Sequence, residues 1–218
     1  MSFHDSVTRN LCRIAAVLVP LSISGTALAE DITEPFAYPT GLLDAPATLG
    51  TPPGNEARIG KPRIVLENTR LADLATMTGA TRLSEGRDVF RRDTLCLTGT
   101  EHGKPVVAWF IATDSEYVTE AQLEWVGDRT VPEYCRRLTP DNLPIRLGKI
   151  GVGMPFAEVT ELLGPASSQD DNGWHYWFSQ RFLRNDRGLQ ELELNWLAVR
   201  LDADGRVERA FISQVTNL

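Results

Sequence analysis

Few residues of this 218-residue chain have the type and spacing that chemistry requires. Of its three histidines, His102 falls in a predicted turn and His175 in a predicted strand between two aromatic residues. Neither has a second histidine or a carboxylate at the spacing of metal ligands, so the sequence predicts no metal site. Asp170 and Asp171 could bind calcium weakly, but they lack the spaced ligands of a calcium loop and are more typical of a solvated loop.

Two cysteines, Cys96 and Cys135, follow the first 29 residues of the chain. An even pair in an exported protein predicts a structural disulfide. The bridge would close a loop of roughly 40 residues and stabilise the fold by about 3–4 kcal/mol in the chain-entropy model. A redox-active pair is the alternative, although such pairs are usually spaced Cys-x-x-Cys.

The sequence contains no recognisable catalytic motif. Gly-x-Ser-x-Gly does not occur, and a bridged cysteine pair leaves no thiol nucleophile. The glycines of LGKIGVGM (147–154) lack the Gly-Lys-Ser/Thr of a phosphate-binding loop. We therefore expect a protein that is not an enzyme and that binds no cofactor. An undetected hydrolase is the alternative.

The first 29 residues have the three regions of a secretory signal peptide. Arg9 and Arg13 precede an apolar run (14–25), and the small residues ALA (27–29) form a cleavage signal. We expect this segment to be removed and the mature protein to be periplasmic or secreted. Cys12 precedes the apolar run, so no lipid anchor is expected, and no later run has the length of a membrane span.

The net charge of the chain is −7 at pH 7. Nucleic acid and anionic membranes both require a basic surface, so neither is expected as a partner. An envelope protein or a secreted protein remains a suitable partner.

The chain divides into a leader and two folded units. Residues 30–62 are rich in proline and glycine and lack periodicity, which is typical of a flexible leader. A tether, or a strand donated to a partner, is the alternative. The first folded unit, with the disulfide, covers residues 63–140, and the second covers residues 141–218.

The first unit begins with a predicted helix over TRLADLATMTG (69–79). Leu71, Leu74 and Met77 recur on one helical face, and Gly79 can end the helix in a left-handed conformation. Three predicted strands follow, over DTLCLTG (93–99), VVAWFIA (106–112) and YVTEAQLEWV (117–126).

The second unit begins with GVGMPFAEVTELLGPAS (151–167), which predicts a short helix pinned to a sheet rather than a reactive site. Pro155 suits the first helical position, and Gly164 with its following proline ends the helix. The apolar face of this helix consists of Phe156, Val159 and Leu163.

The strands that follow this helix carry the most informative pattern. NGWHYWF (172–178) places Trp174, Tyr176 and Phe178 on one face and His175 and Trp177 on the other. In LQELELNWLAVRLD (189–202), the apolar alternation changes phase after Trp196, which predicts a bulge or a strong bend. DADG (202–205) predicts a hairpin turn before the last strand.

The two units resemble each other in pattern. A shift of 85 residues places Leu71 on Phe156 and Gly79 on Gly164, and three strand-like segments follow each helix. We expect an α+β fold in which short helices pack on a curved antiparallel β-sheet, in two tandem helix-plus-strands units.

A set of motifs in the second unit points to a known family. They are Gly153-Met154, Glu158-Val159, Leu162-Leu163-Gly164-Pro165, Trp174-x-Tyr176 and Asp204-Gly205-x-Val207. Together they resemble the repeat unit of the BamE (SmpA/OmlA) family, whose fold the β-lactamase inhibitory protein shares, most clearly over residues 145–215. The resemblance implies an envelope location and protein binding rather than catalysis, and it transfers no contact residues.

His175 and Trp177 are the predicted binding residues. They lie on the strand face opposite Trp174 and Tyr176, and we expect that face to be open to a partner. The alternative is that a second unit or the leader covers them. We predict a protein-binding module that acts through its sheet face, as an inhibitor or an envelope-assembly partner. A general structural or maintenance factor of the cell envelope is the alternative.

Overall fold

A computed structural model describes residues 31–39, 48–113, 115–184 and 186–217. Its α-helices are α1 (Leu71–Thr78) and α2 (Phe156–Leu163), and two 3-10 helices lie at Asp88–Phe90 and Pro140–Asn142. The strands are β1 (Glu56–Ile59), β2 (Arg63–Val65), β3 (Arg82–Glu85), β4 (Arg92–Glu101), β5 (Lys104–Thr113), β6 (Glu120–Trp125), β7 (Arg136–Arg137), β8 (Ile145–Leu147), β9 (Ser168–Gln169), β10 (Trp174–Arg184), β11 (Gln190–Leu201) and β12 (Val207–Asn217).

The strands form two sheets. The large sheet has nine strands in the order β3-β4-β5-β6-β12-β11-β10-β9, with β7 pairing in parallel with β4. The small sheet has three strands in the order β2-β1-β8. Antiparallel pairing of β6 with β12 joins the first meander, β4-β5-β6, to the second, β10-β11-β12.

The predicted α+β class, with helices on a curved sheet in two tandem units, is wrong. The described residues are 47% strand and 12% helix, with two eight-residue α-helices beside a nine-stranded sheet, so the fold is mostly β. Two features cause the difference. The β6–β12 pairing merges the strands of both predicted units, and the small sheet provides much of the cover that the sequence assigned to helices.

The main core lies between the large sheet and the layer made by α1, α2 and the small sheet. We call the face of the large sheet that points into this core the inner face, and the opposite face the outer face. Inner-face side chains in the core include Leu95, Phe110, Leu123, Leu197 and Ile212. The covering layer contributes, among others, Ile59, Ile64, Leu71, Leu74, Ile145 and Val159.

The helices end where the sequence predicts. Gly79 follows α1 in the left-handed conformation, with a φ of 68°, and its N–H donates to Ala75 O. Gly164 follows α2 with a φ of 78°. Leu71 and Leu74 are buried, whereas Met77 is exposed, because the short α1 reaches the core with its first turns.

Part of the segment predicted as a flexible leader is ordered. Residues 31–39 lie across the outer face of the large sheet, and we call them the strap. Ile32 is buried there and its N–H donates to Thr130 O (3.2 Å). Further along, β1 is the central strand of the small sheet, with Ala57 and Ile59 in the core. Residues 1–30, with the predicted signal peptide, and residues 40–47 lie outside the described residues.

The second meander has a bulge, but it lies four residues beyond the phase change from which it was predicted. Pairing of β11 with β12 runs in register from Leu192 to Arg200, and the shift occurs only between Arg200 and Leu201. The apolar phase changes because β11 is buried on its inner face at Leu197 and Val199, while Leu192 and Leu194 point to the outer face. The first half of this continuous strand therefore presents its apolar side chains to the outer face, and the second half presents them to the inner face.

The predicted disulfide is confirmed. Cys96 on β4 and Cys135, just before β7, are bonded, with their Cα atoms 4.6 Å apart. The bridge lies on the outer face, in an apolar cluster with Ile32 and Trp109. None of the helices in the described residues is both long and apolar enough to span a membrane.

Candidate binding surface

Trp177 does not lie where the sequence predicts. Its side chain is fully buried in the main core, beneath α2, and its Nε1 donates to Gly164 O (3.1 Å) at the end of that helix. The predicted alternation along β10 is correct, but the assignment of its faces is reversed. Trp177 points toward the helix, and Trp174 and Tyr176 point to the outer face.

His175 lies on the same side of β10 as Trp177 and is partly buried. Its ring centroid is 4.3 Å from that of Phe156, the first residue of α2. Burial lowers the pKa of His175, and the charge of Asp170 opposes this effect. Since Phe156 packs against both His175 and Trp177, the two predicted binding residues hold α2 against the sheet.

The strap covers aromatic residues on the outer face of the large sheet. Phe36 packs on Trp174, with ring centroids 5.5 Å apart, and Tyr38 meets Phe211 edge to face at 5.8 Å. Arg209 lies over the Phe36 ring. The middle of the outer face is therefore closed by the strap.

Beneath the strap, β6 presents a row of buried polar side chains, Glu120, Gln122 and Glu124. Gln122 Nε2 donates to Phe36 O (3.1 Å) and to Glu120 Oε1 (2.7 Å). The Tyr38 hydroxyl donates to Glu120 Oε2 (2.5 Å). The polar row thus binds the strap through both its backbone and its side chains.

The two carboxylates of this row, Glu120 and Glu124, differ in the number and distance of the arginines that pair with them. Glu124 pairs with Arg129 (2.7 Å) and Arg209 (3.0 Å). Glu120 forms a longer ion pair, with Arg92 at 3.8 Å. Desolvation raises the pKa of Glu120, while hydrogen bonds from Tyr38 and Gln122 and the charge of Arg92 oppose it. The pKa of Tyr38 is also raised, first by burial and then by Glu120.

Replacement of Glu120 by glutamine is expected to remove a pH dependence of stability. With its pKa raised above the ordinary value of 4.5, Glu120 keeps a proton in the folded state that the unfolded state releases. The free energy of unfolding therefore falls as pH rises from 4.5 through the raised pKa, by at most about 1.4 kcal/mol per pH unit. Urea unfolding of Glu120→Gln should lack this fall.

The matched control for that measurement is Glu116→Gln. The Glu116 side chain is 76% exposed and forms a surface ion pair with Arg70, so its loss should leave the pH dependence of the wild type. An identical pH profile for Glu120→Gln and the wild type would show that burial of Glu120 does not couple to folding.

Large exposed apolar side chains gather at one end of the large sheet. We call it the loop end: β4, β6 and β11 begin there, and β5, β10 and β12 finish there. Val89 (64% exposed) and Phe90 (83%) lie in the β3–β4 loop. Phe182 (68%), Leu189 (53%) and Val215 (39%) lie at the far side of the same end.

The two apolar sites of the loop end lie well apart. The β3–β4 loop and the β10–β11 turn are separated by five strand spacings of about 4.8 Å, or about 24 Å across the sheet. Between them run the ends of β5, β6 and β12. This separation suits two anchors on one protein surface better than one small ligand.

Buried polar contacts hold the loop end in place. Glu67 accepts hydrogen bonds from Thr216 N (2.8 Å) and Thr216 Oγ1 (2.6 Å) on β12. Gln214 Nε2 donates to Glu67 Oε2 (3.0 Å) and also approaches Glu193 Oε2 (3.3 Å). Arg181 on β10 donates to Glu193 on β11 through Nε (2.6 Å) and Nη2 (3.1 Å). The strands that carry Phe182 and Val215 are therefore held in place.

Sequence reasoning missed the loop end, although part of it left a signal. Phe182 continues the alternation of Trp174, Tyr176 and Phe178 along β10, beyond the predicted end of that strand. In β11, the apolar residues before the phase change, Leu192 and Leu194, are the ones on the outer face. Phe90 had no such signal, because it lies in a short loop without periodicity.

The described residues contain no group of three or more His, Cys, Asp or Glu side chains placed to hold a metal ion. The chain matches no protein-family model, no curated protein and no solved structure. The resemblance to the BamE family therefore stays a prediction.

Proposed function

We propose that this protein is a non-enzymatic protein-binding module of the periplasm or the extracellular space, and that it binds through the loop end of its large sheet. The observation that carries the proposal is the pair of exposed apolar sites there, Val89 with Phe90 and Phe182 with Leu189. Large exposed apolar side chains on a fixed scaffold are typical of protein-binding surfaces.

The remaining features agree with this proposal. A disulfide persists in oxidising compartments, which fits the predicted signal peptide. The acidic net charge disfavours nucleic acid. The family resemblance predicts protein binding as well. The proposed surface differs from the sequence prediction, because Trp177 is buried in the core and the most exposed aromatic residues of the described chain are Phe90 and Phe182.

Replacement of Phe90 and Phe182 by serine should weaken partner binding at least 30-fold for the double variant, since each removes an exposed aromatic anchor. A photo-crosslinking amino acid at position 89 of the exported protein would capture the partner, and mass spectrometry would identify it. The affinity of the purified partner would then be measured for the wild type and the variants.

The matched control is Met77→Ser, which replaces an exposed apolar residue of α1 (51% exposed) that belongs to neither of the two proposed sites. It should bind the partner with wild-type affinity. One partner that is lost with Phe90→Ser and Phe182→Ser supports the proposal. Many envelope proteins captured equally by all variants would favour a general envelope factor instead.

A further inference from the structure

The strand β10 borders the large sheet, and its edge is used along only part of its length. β9 pairs with it at His175 and Tyr176. Ser167 N donates to Tyr176 O (2.7 Å), and Leu49 N donates to Phe178 O (2.8 Å). Beyond Phe178, no described residue pairs with the side of β10 that faces away from β11.

The direction of the backbone groups follows from these bonds. Successive residues of a strand point their N–H and C=O groups to opposite sides. Since Tyr176 and Phe178 use theirs toward the edge, Gln180, Phe182 and Arg184 must also point theirs outward. Residues 180–184 therefore present a row of donors and acceptors that is ready for another strand.

The side chains around this row are exposed and mixed in character. Gln180, Phe182 and Arg184 are all exposed on the outer face. Arg181, on the inner face, is engaged by Glu193, whereas Arg184 has no ion pair with any described residue. Phe182 thus offers an apolar contact and Arg184 a positive charge, two residues apart.

We propose that residues 180–184 of β10 receive an extended strand of a partner protein, which places an apolar side chain beside Phe182 and an acidic side chain beside Arg184. This proposal rests on the proposed function and names its mode of recognition. Backbone hydrogen bonds to an exposed edge provide affinity, and alternate side chains provide specificity.

Two observations support a strand as the occupant. Two separate segments of this chain, at Ser167–Gln169 and at Leu49, already add to the same edge by backbone hydrogen bonds. The backbone of the open stretch can also receive a strand, because residues 179–184 contain no proline and pair with β11 without a bulge. The free charge of Arg184 favours an acidic strand.

The probe for this mode is a capped octapeptide with the sequence Thr-Val-Thr-Glu repeated twice. When extended, it carries alternating valine and glutamate on one face and threonine on the other. In NMR titrations with dilute wild-type protein, we expect slower exchange of the Gln180, Phe182 and Arg184 amides as peptide is added. A peptide with N-methyl groups on alternate backbone nitrogens should bind at least tenfold more weakly.

The matched protein variants are Gln180→Pro and Gln180→Ala. Proline removes the N–H that points to the edge and leaves the β10–β11 hydrogen bonds intact. We expect peptide binding at least tenfold weaker for Gln180→Pro than for Gln180→Ala. If the proline variant does not fold, amide exchange in the wild type decides the question by itself.

Three results would overturn the proposal. The first is an unchanged exchange rate of these amides at millimolar peptide. The second is protection before any peptide is added, which would mean that this chain covers its own edge. The third is protection that grows with protein concentration, which would assign the edge to a second copy. Loss of partner binding in Phe90→Ser and Phe182→Ser would still support the proposed function in each case.

Discussion

Trp177→Ala is expected to lower the free energy of unfolding by about 3–5 kcal/mol, the range for truncation of a large buried aromatic residue. Trp177 is fully buried, packs against Phe156 and donates a hydrogen bond to Gly164 O. The substitution leaves a cavity under α2 and an unpaired carbonyl at its end. Urea unfolding, followed by circular dichroism, measures the loss.

Trp177→Phe and Met77→Ala complete this test. Phenylalanine keeps most of the buried volume, so the variant should fold and bind the partner with wild-type affinity. Met77 is exposed, and its replacement should change stability by less than about 0.5 kcal/mol. If Trp177→Ala were as stable as the wild type but lost the partner, Trp177 would be a binding residue after all.

Removal of the disulfide by the double substitution Cys96→Ala and Cys135→Ala should cost about 4 kcal/mol. The two cysteines are 39 residues apart, and the chain-entropy model gives about this value for a loop of that length. Cys96 is also buried beside Ile32 and Trp109, so the truncation removes packing between the strap and the sheet.

A reductant separates the effect of the bridge from that of the side chains. Dithiothreitol should lower the stability of the wild type by most of this amount and leave the double variant unchanged. Equal sensitivity of both proteins to the reductant would contradict the prediction. Since whole domains are stable by about 5–15 kcal/mol, this loss is a large share of the total stability.

Periodicity predicted which residues share a strand face, but it could not tell which face is covered. The alternation of Trp174, Tyr176 and Phe178 against His175 and Trp177 is correct. The covered side depends on contacts with distant parts of the chain, such as the strap and the small sheet. The strap has too few apolar residues to form a periodic pattern in the sequence. It is held instead by hydrogen bonds with Glu120 and Gln122 of β6, which are distant in the sequence.

The prediction of the fold class was wrong for a related reason. Individual strands were largely predictable, because β4, β5 and β10 are long apolar or alternating runs. The pairing of β6 with β12 leaves no mark on either strand, although it decides whether the two meanders form separate sheets or a single one. The loop end was partly visible at Phe182 and invisible at Phe90, because exposure of a lone loop residue follows no period.

The position of the strap has a consequence for the order of folding. Its partners on β6 lie 82 and 86 residues further along the chain, and Trp174 lies on the second meander. The strap would emerge from the ribosome before the strands that bind it, yet its binding site is complete only when both meanders have paired. Contacts of such long range are slow to form. Docking of the strap is therefore expected late, after the sheet has assembled, and its amides should be among the last to gain protection during refolding.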